Sequence, residues 1–236
     1  MRIKPIRVKD SVTIIYDEEH WRLFSSLREK AVNILKALKS SNIEGYIIGS
    51  LARGDIHNGS DIDIIVKDYV PTFFIENILL DNGFNIFQKI VTQATPNSLI
   101  KASIFIDDTT SVSIPLSKMS KVEEEFFEFA GIISYNEVIN NIRVPGVNKR
   151  LLLIVPNREG HIEYSIIGRE YHAAMVLNVS PRIVFEREKI LLRRDEIGRT
   201  GVYLKIIVPP EANIEKYVRD VVKQNPLLRK KLSSIF

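Results

Sequence analysis

The chain contains no cysteine, which excludes disulfides and thiolate metal sites and makes the cytoplasm the expected compartment. No apolar run approaches the roughly 18 residues that a bilayer span requires, so no membrane partner is expected. The opening Met1-Arg2-Ile3-Lys4-Pro5 is polar and interrupted, unlike the apolar stretch of a signal peptide. Repeats and low-complexity tracts are absent. Neither sign of charge dominates: 33 Lys/Arg stand against 29 Asp/Glu over 236 residues. What remains is an ordinary globular composition, 45% apolar and 26% charged, long enough for one large domain or two small ones. Abundant isoleucine with many Lys, Arg and Glu suits a thermophilic source, which is the expectation from composition. The charge is unevenly placed. Residues 1–144 hold 16 Lys/Arg and 19 Asp/Glu, residues 145–236 hold 17 and 10. A basic second half suits either a polyanionic partner or a solvated surface.

Residues 49–66 carry the chemistry. The apolar run Tyr46, Ile47, Ile48 enters a Gly49-Ser50 turn, a polar loop follows, and an apolar strand begins with Asp61 and Asp63. Side chains two apart on a strand point the same way. Asp61 and Asp63 are therefore expected to project together, with Ile62 and Ile64 in the core. Two adjacent carboxylates repel unless a cation stands between them. Mg²⁺, held by carboxylates and substrate phosphates, supplies that charge. Gly49 allows close backbone approach, and the turn amides with the Ser50 hydroxyl suit a phosphate.

Gly49, Ser50, Ala52, Arg53, Gly54, Asp55, Ser60, Asp61 and Asp63 together resemble the signature of the DNA polymerase β-like nucleotidyltransferase superfamily, over residues 15–117. The resemblance implies transfer of a nucleoside monophosphate from ATP or another nucleoside triphosphate, with two Mg²⁺ ions. It implies that Asp61 and Asp63 are metal ligands, that Gly49 and Ser50 hold the β- and γ-phosphates, and that Ser60 belongs to the nucleotide site. Arg53 either reaches the triphosphate or pairs with Asp55. The family's third carboxylate falls at Ser113, between Val112 and Ile114. Asp107 is the nearest carboxylate and the candidate third catalytic group, with Asp108 behind it. Asp107-Asp108-Thr109-Thr110 also reads as turn chemistry.

Helical spacing of Trp21, Phe24, Leu27, Ala31, Ile34, Leu35 and Leu38 predicts a helix over 18–39. Strands at 45–48 and 62–66, a helix at 71–80, and strands at 84–91, 99–106 and 111–116 come next. This order predicts an α/β (α+β) fold whose nucleotidyltransferase core, residues 1–117, is a mixed sheet with helices on one face. Residues 118–144 are expected to form a connecting helix, and Pro145-Gly146 to open a basic α+β domain over 145–236. In that domain Glu159-Gly160-His161-Ile162-Glu163 reads as a polar loop before a helix. Residues 169–194 resemble a helix-turn-helix: Asn178 at the turn, Ser180 as N-cap, Pro181 at the first helical position. Arg182, Arg187, Lys189, Arg193 and Arg194 are its candidate RNA or DNA contacts. Gly198–Gly201 before strand 202–208 resembles the wing of a winged helix, and Arg229-Lys230-Lys231 gives a basic tail. The leading expectation is an Mg²⁺-dependent nucleotidyltransferase with nucleic acid favoured as acceptor. The alternative is a nucleic-acid-binding regulator whose nucleotidyltransferase core has lost catalysis.

Overall fold

A computed structural model describes residues 4–7, 10–96, 98–198 and 201–224. In chain order the elements are β1 (Val12–Ile15), α1 (Glu18–Ser40), β2 (Gly45–Ile48), α2 (Ser50–Arg53), β3 (Ile62–Val66), α3 (Thr72–Asp81), β4 (Gln88–Gln93), β5 (Ile100–Phe105) and β6 (Thr110–Pro115). Next come α4 (Lys121–Ala130), β7 (Ile132–Ser134), α5 (Tyr135–Ile139), β8 (Gly146–Val147), β9 (Leu152–Asn157), β10 (Gly160–Ser165), α6 (Glu170–Leu177), α7 (Pro181–Ile197), β11 (Leu204–Val208) and α8 (Ile214–Gln224). The fold is mixed α/β. Arg199 and Thr200 of the expected wing, and the tail Arg229-Lys230-Lys231, lie outside the described residues. Among those residues no helix is long and apolar enough to cross a membrane.

The chain divides into two compact units that interleave in sequence. One contains residues 33–46, 61–120 and the stretch from 201 onward. Its sheet runs β11-β4-β5-β6-β3, antiparallel except for the β3–β6 pair. In β3, Ile62 and Ile64 are wholly buried, and every residue of β6 is buried. Alternating burial in β11 marks a strand with one packed face. Residues 202–208, expected beside a helix-turn-helix, thus add an edge strand next to β4 instead. Two contacts fasten the segment after β11. Glu215 of α8 accepts hydrogen bonds from the Thr72 amide (2.6 Å) and hydroxyl (2.8 Å), capping α3. The wholly buried Lys89 ammonium donates to Glu76 (2.9 Å) and to the Ala212 carbonyl (2.6 Å).

The other unit contains residues 1–32, 47–60 and 121–200. Its antiparallel sheet runs β1-β10-β9-β8, and Phe129, Leu151, Leu153, Ile166, Ala173, Ala174 and Val184 form its core. Residues 159–163, expected as a loop, lie partly in β10. The connecting helix expected over 118–144 breaks at Gly131, whose φ of +85° no helix contains. The β-branched pair Ile132-Ile133 then forms β7. Ser134 and Glu137 start α5 with reciprocal side-chain-to-amide bonds. As expected, two helices flank Asn178, which sits in the left-handed conformation (φ 52°, ψ 44°), and Pro181 opens the second. Ser180 holds the N-cap position, but its hydroxyl donates to Glu125 rather than capping the helix.

Candidate active site

Gly49 has φ +80° and ψ −142°, a conformation reserved to glycine, and turns the chain from β2 into the four-residue helix α2. Its amide donates to the Gly131 carbonyl at 2.9 Å, so Gly49 shapes the turn rather than offering a donor. Ser50, half-buried, heads α2.

The far end of α2 is held from several sides. The Val144 amide donates to the Ala52 carbonyl. Arg28 of α1, only 4% exposed, donates to the carbonyls of Leu51 (3.1 Å) and Ile142 (2.8 Å). A cation at a helix C-terminus suits the macrodipole. Burial and the nearby Arg143 lower the Arg28 pKa to about 10, so it stays charged at neutral pH. Arg53 is buried too. It pairs with Asp55 (2.9 Å) and donates to the Ala130 carbonyl (2.6 Å). Of its two expected courses Arg53 takes the inward one, because its guanidinium is spent on Asp55 and backbone. Ser60 is buried, and its hydroxyl accepts from the His57 amide at 2.9 Å, closing the loop before Asp61.

Behind α2 stands an aromatic cluster. His20 stacks on Tyr16 (3.6 Å between centroids) and its Nε2 meets the Gly54 carbonyl at 2.8 Å. Arg143 lies over Trp21 and donates to the Gly160 carbonyl at 2.8 Å. A Cβ on Gly54 would strike Arg143 at 2.7 Å, and Gly54 also has φ +102°. Burial and Asp55 push the Tyr16 phenol well up, so it stays protonated, and its hydroxyl shares a 2.6 Å hydrogen bond with His161 Nδ1. The other ring nitrogen, Nε2, faces Glu163 at 3.4 Å. This cluster supports β10 and α2.

In the other unit Asp61 and Asp63 are exposed while Ile62 and Ile64 are fully buried, the alternation expected of two carboxylates on one side of the chain. Parallel pairing sets Asp63 opposite Ser111 and Ile65 opposite Ser113. The Ser111 hydroxyl lies 3.4 Å from Asp63, and Ser113 shares a 2.8 Å hydrogen bond with Ser103. A β6 hydroxyl thus stands beside Asp63. Asp107 lies in the β5–β6 turn, where its Oδ1 accepts from the Thr109 amide (2.9 Å) and hydroxyl (3.1 Å), the turn chemistry its sequence suggests. Among the described residues no three His, Asp or Glu side chains gather as a metal cluster.

Residues 28–144 match the nucleotidyltransferase domain. The match takes in the Gly49-Ser50 turn, both carboxylates and Asp107, and runs past the expected boundary at residue 117. Two solved structures are similar to the chain. One is a CCA-adding enzyme in complex with ATP, with a TM-score of 0.33, 16% identity, and coverage of 94% of this chain and 51% of that one. The other is a CCA-adding enzyme in an apo form, with 0.26, 14%, 93% and 53% for the same quantities. The chain spans about half the length of either. No curated protein sequence matches it.

The five basic residues predicted to meet nucleic acid do not act alike. Arg182, Lys189 and Arg193 are exposed at helical spacing on α7, and Arg194 is exposed beside them. Arg187 turns inward, its guanidinium 4.5 Å from the Phe126 ring centroid, and burial lowers its pKa. It cements α7 to α4 rather than facing a partner. Sequence reasoning missed Arg28 and His20. A visible signal existed for Arg28: it interrupts the apolar stripe between Phe24 and Ala31, where a charge requires dedicated partners.

Proposed function

We propose that the protein is an Mg²⁺-dependent nucleotidyltransferase that moves a nucleoside monophosphate from ATP or another nucleoside triphosphate to an acceptor hydroxyl. The acceptor oxygen forms a bond to the α-phosphorus, the bond to the bridging oxygen breaks, and pyrophosphate leaves. The observation that carries this reading is the exposed pair Asp61 and Asp63, rooted by buried Ile62 and Ile64 inside the matched segment. Two hard oxygen donors fit Mg²⁺, which binds through one or two carboxylates with substrate phosphates and water. Mg²⁺ held there would neutralise charge on the triphosphate and leaving group. Gly49 and Ser50 are the proposed phosphate-holding turn, with Ser60, Arg53 and Arg28 keeping that loop in shape. Asp107 is the proposed acceptor of the hydroxyl proton. The exposed Arg182, Lys189 and Arg193 favour a polyanionic acceptor, RNA or DNA.

Incubation with α-labelled ATP, Mg²⁺ and RNA should transfer label, and Asp61→Asn and Asp63→Asn should each abolish transfer. No transfer from any of the four nucleotides to RNA or DNA, or transfer indifferent to both substitutions, contradicts the proposal. Serines at positions 111 and 113 favour a second reading, a nucleotide-binding regulator without turnover. Salt-sensitive nucleic-acid binding that survives both substitutions, with no label transferred by the wild-type chain, would establish it.

A further inference from the structure

The α6–α7 pair carries an uncovered aromatic surface. Tyr171 (68% exposed), Met175 (75%) and Phe185 (43%) are large apolar side chains left in water. Tyr171 and Phe185 meet edge to face at 5.5 Å. Tyr171 and Met175, one turn apart, line an open groove of about 360 Å³ with Ala174, Asn178, Val179 and Pro181. Pro181 starts α7, so the groove leads onto the α7 face that holds Phe185. Along that face the exposed residues are Arg182, Phe185, Glu186, Lys189, Arg193 and Glu196: three cations and two acids about an aromatic ring. The nearest further acid groups are Glu170, which begins α6, and Glu188, half-buried toward the helix pair.

We infer that this surface binds single-stranded nucleic acid, with bases stacked on Tyr171 and Phe185 and phosphates beside Arg182, Lys189 and Arg193. The inference rests on the proposal that the acceptor is nucleic acid, and names the form it takes. The excess of cations over the acids Glu186 and Glu196 selects a polyanion over a second copy of this chain, which would bring the same excess of positive charge to the patch. The aromatics then select the strand state. A duplex keeps its base faces stacked inside and offers Tyr171 and Phe185 only phosphates and groove edges. An unpaired strand offers a π-face at every base, and stacking on an aromatic ring tolerates any sequence. An exposed Tyr and Met on one groove are wasted on a duplex and used by a single strand.

The test is fluorescence anisotropy on the full chain with a labelled 12-nucleotide RNA, the same sequence as DNA, and its duplex, without nucleotide or Mg²⁺. The single strands should bind at least about tenfold more tightly than the duplex, and Tyr171→Ala and Phe185→Ala should each weaken them by about 5- to 100-fold, as a lost base stack does. Arg182→Ala and Lys189→Ala should each lower the salt slope by about 0.7, as loss of a single-strand phosphate contact does. Equal or tighter duplex binding, or strand affinity unchanged in Tyr171→Ala and Phe185→Ala, overturns the inference. So does a dimer in sedimentation that Met175→Glu dissociates, which would give the groove to a second copy. Because no turnover is needed, single-strand binding without nucleotidyl transfer would sink the enzymatic proposal and leave this inference standing.

Discussion

Gly49→Ala separates the conformation of the turn from its packing. At φ +80° and ψ −142° an alanine is strained, yet a Cβ built there meets nothing within 4 Å. The whole cost is therefore backbone strain, about 1–3 kcal/mol. For a chain of this size that lowers the melting temperature by roughly 2–12 °C, at about 2–4 °C per kcal/mol. If the turn relaxes to shed the strain, nucleotide binding must restore it. Affinity for Mg²⁺–ATP then falls by about 5- to 150-fold, at about 1.4 kcal/mol per tenfold. Gly83→Ala is the matched control: φ +80°, again nothing within 4 Å, in the turn after α3. It should melt earlier, as Gly49→Ala does, and bind nucleotide as the wild type does. Calorimetric titration with Mg²⁺–ATP beside thermal melts reads both quantities. Wild-type affinity in Gly49→Ala, or an equal loss in Gly83→Ala, would refute the assignment of the turn to phosphate.

Lys89→Met removes one partner of a buried pair and strands Glu76 and the Ala212 carbonyl, so denaturant unfolding should show a loss of about 3–5 kcal/mol. Adding Glu76→Leu should return much of it; a double variant no better than the single would show that the ion pair is not the cause. Arg28→Met leaves the carbonyls of Leu51 and Ile142 without their guanidinium donor, costing about 1–3 kcal/mol for each and raising the KM for nucleotide. An unchanged KM would limit Arg28 to stability alone. Burial, and then Glu170, push the Glu188 carboxyl up to about 7 from its ordinary 4.5. Its protonated form is the one the fold accepts, so this stability is complete below pH 4.5 and lost as pH rises through about 7. Glu188→Gln should melt like the wild type at about pH 4.5 and later than it at about pH 8; parallel melting profiles would disprove the linkage.

Local periodicity made much of this fold legible. The stripe through Phe24, Ala31, Ile34, Leu35 and Leu38 is the buried face of α1, and the alternation at Asp61–Ile64 is that of β3. Long-range pairing was not legible. The alternating pattern of 204–208 names a strand but not its neighbour, and it joins β4 more than a hundred residues earlier. Residues 121–139 misled because the apolar spacing of Phe126, Phe129 and Ile133 continues through Gly131. The glycine and the Ser134-to-Glu137 capping box were the signals to stop and restart. Acidic Asp61 and Asp63 and the Gly49 bend could be read directly, since strand alternation and a glycine-only turn are local. Arg53 and Arg187 could not, because an arginine in a polar stretch looks the same whether it faces water or a buried carbonyl.

The most direct test is a crystal of the protein grown with Mn²⁺ and a non-hydrolysable ATP analogue. Anomalous density should place metal within about 2.0–2.3 Å of carboxylate oxygens from both Asp61 and Asp63, as for a divalent ion on oxygen ligands, with the triphosphate against Gly49 and Ser50. Metal and triphosphate bound together elsewhere, leaving both aspartates uncoordinated, would contradict it.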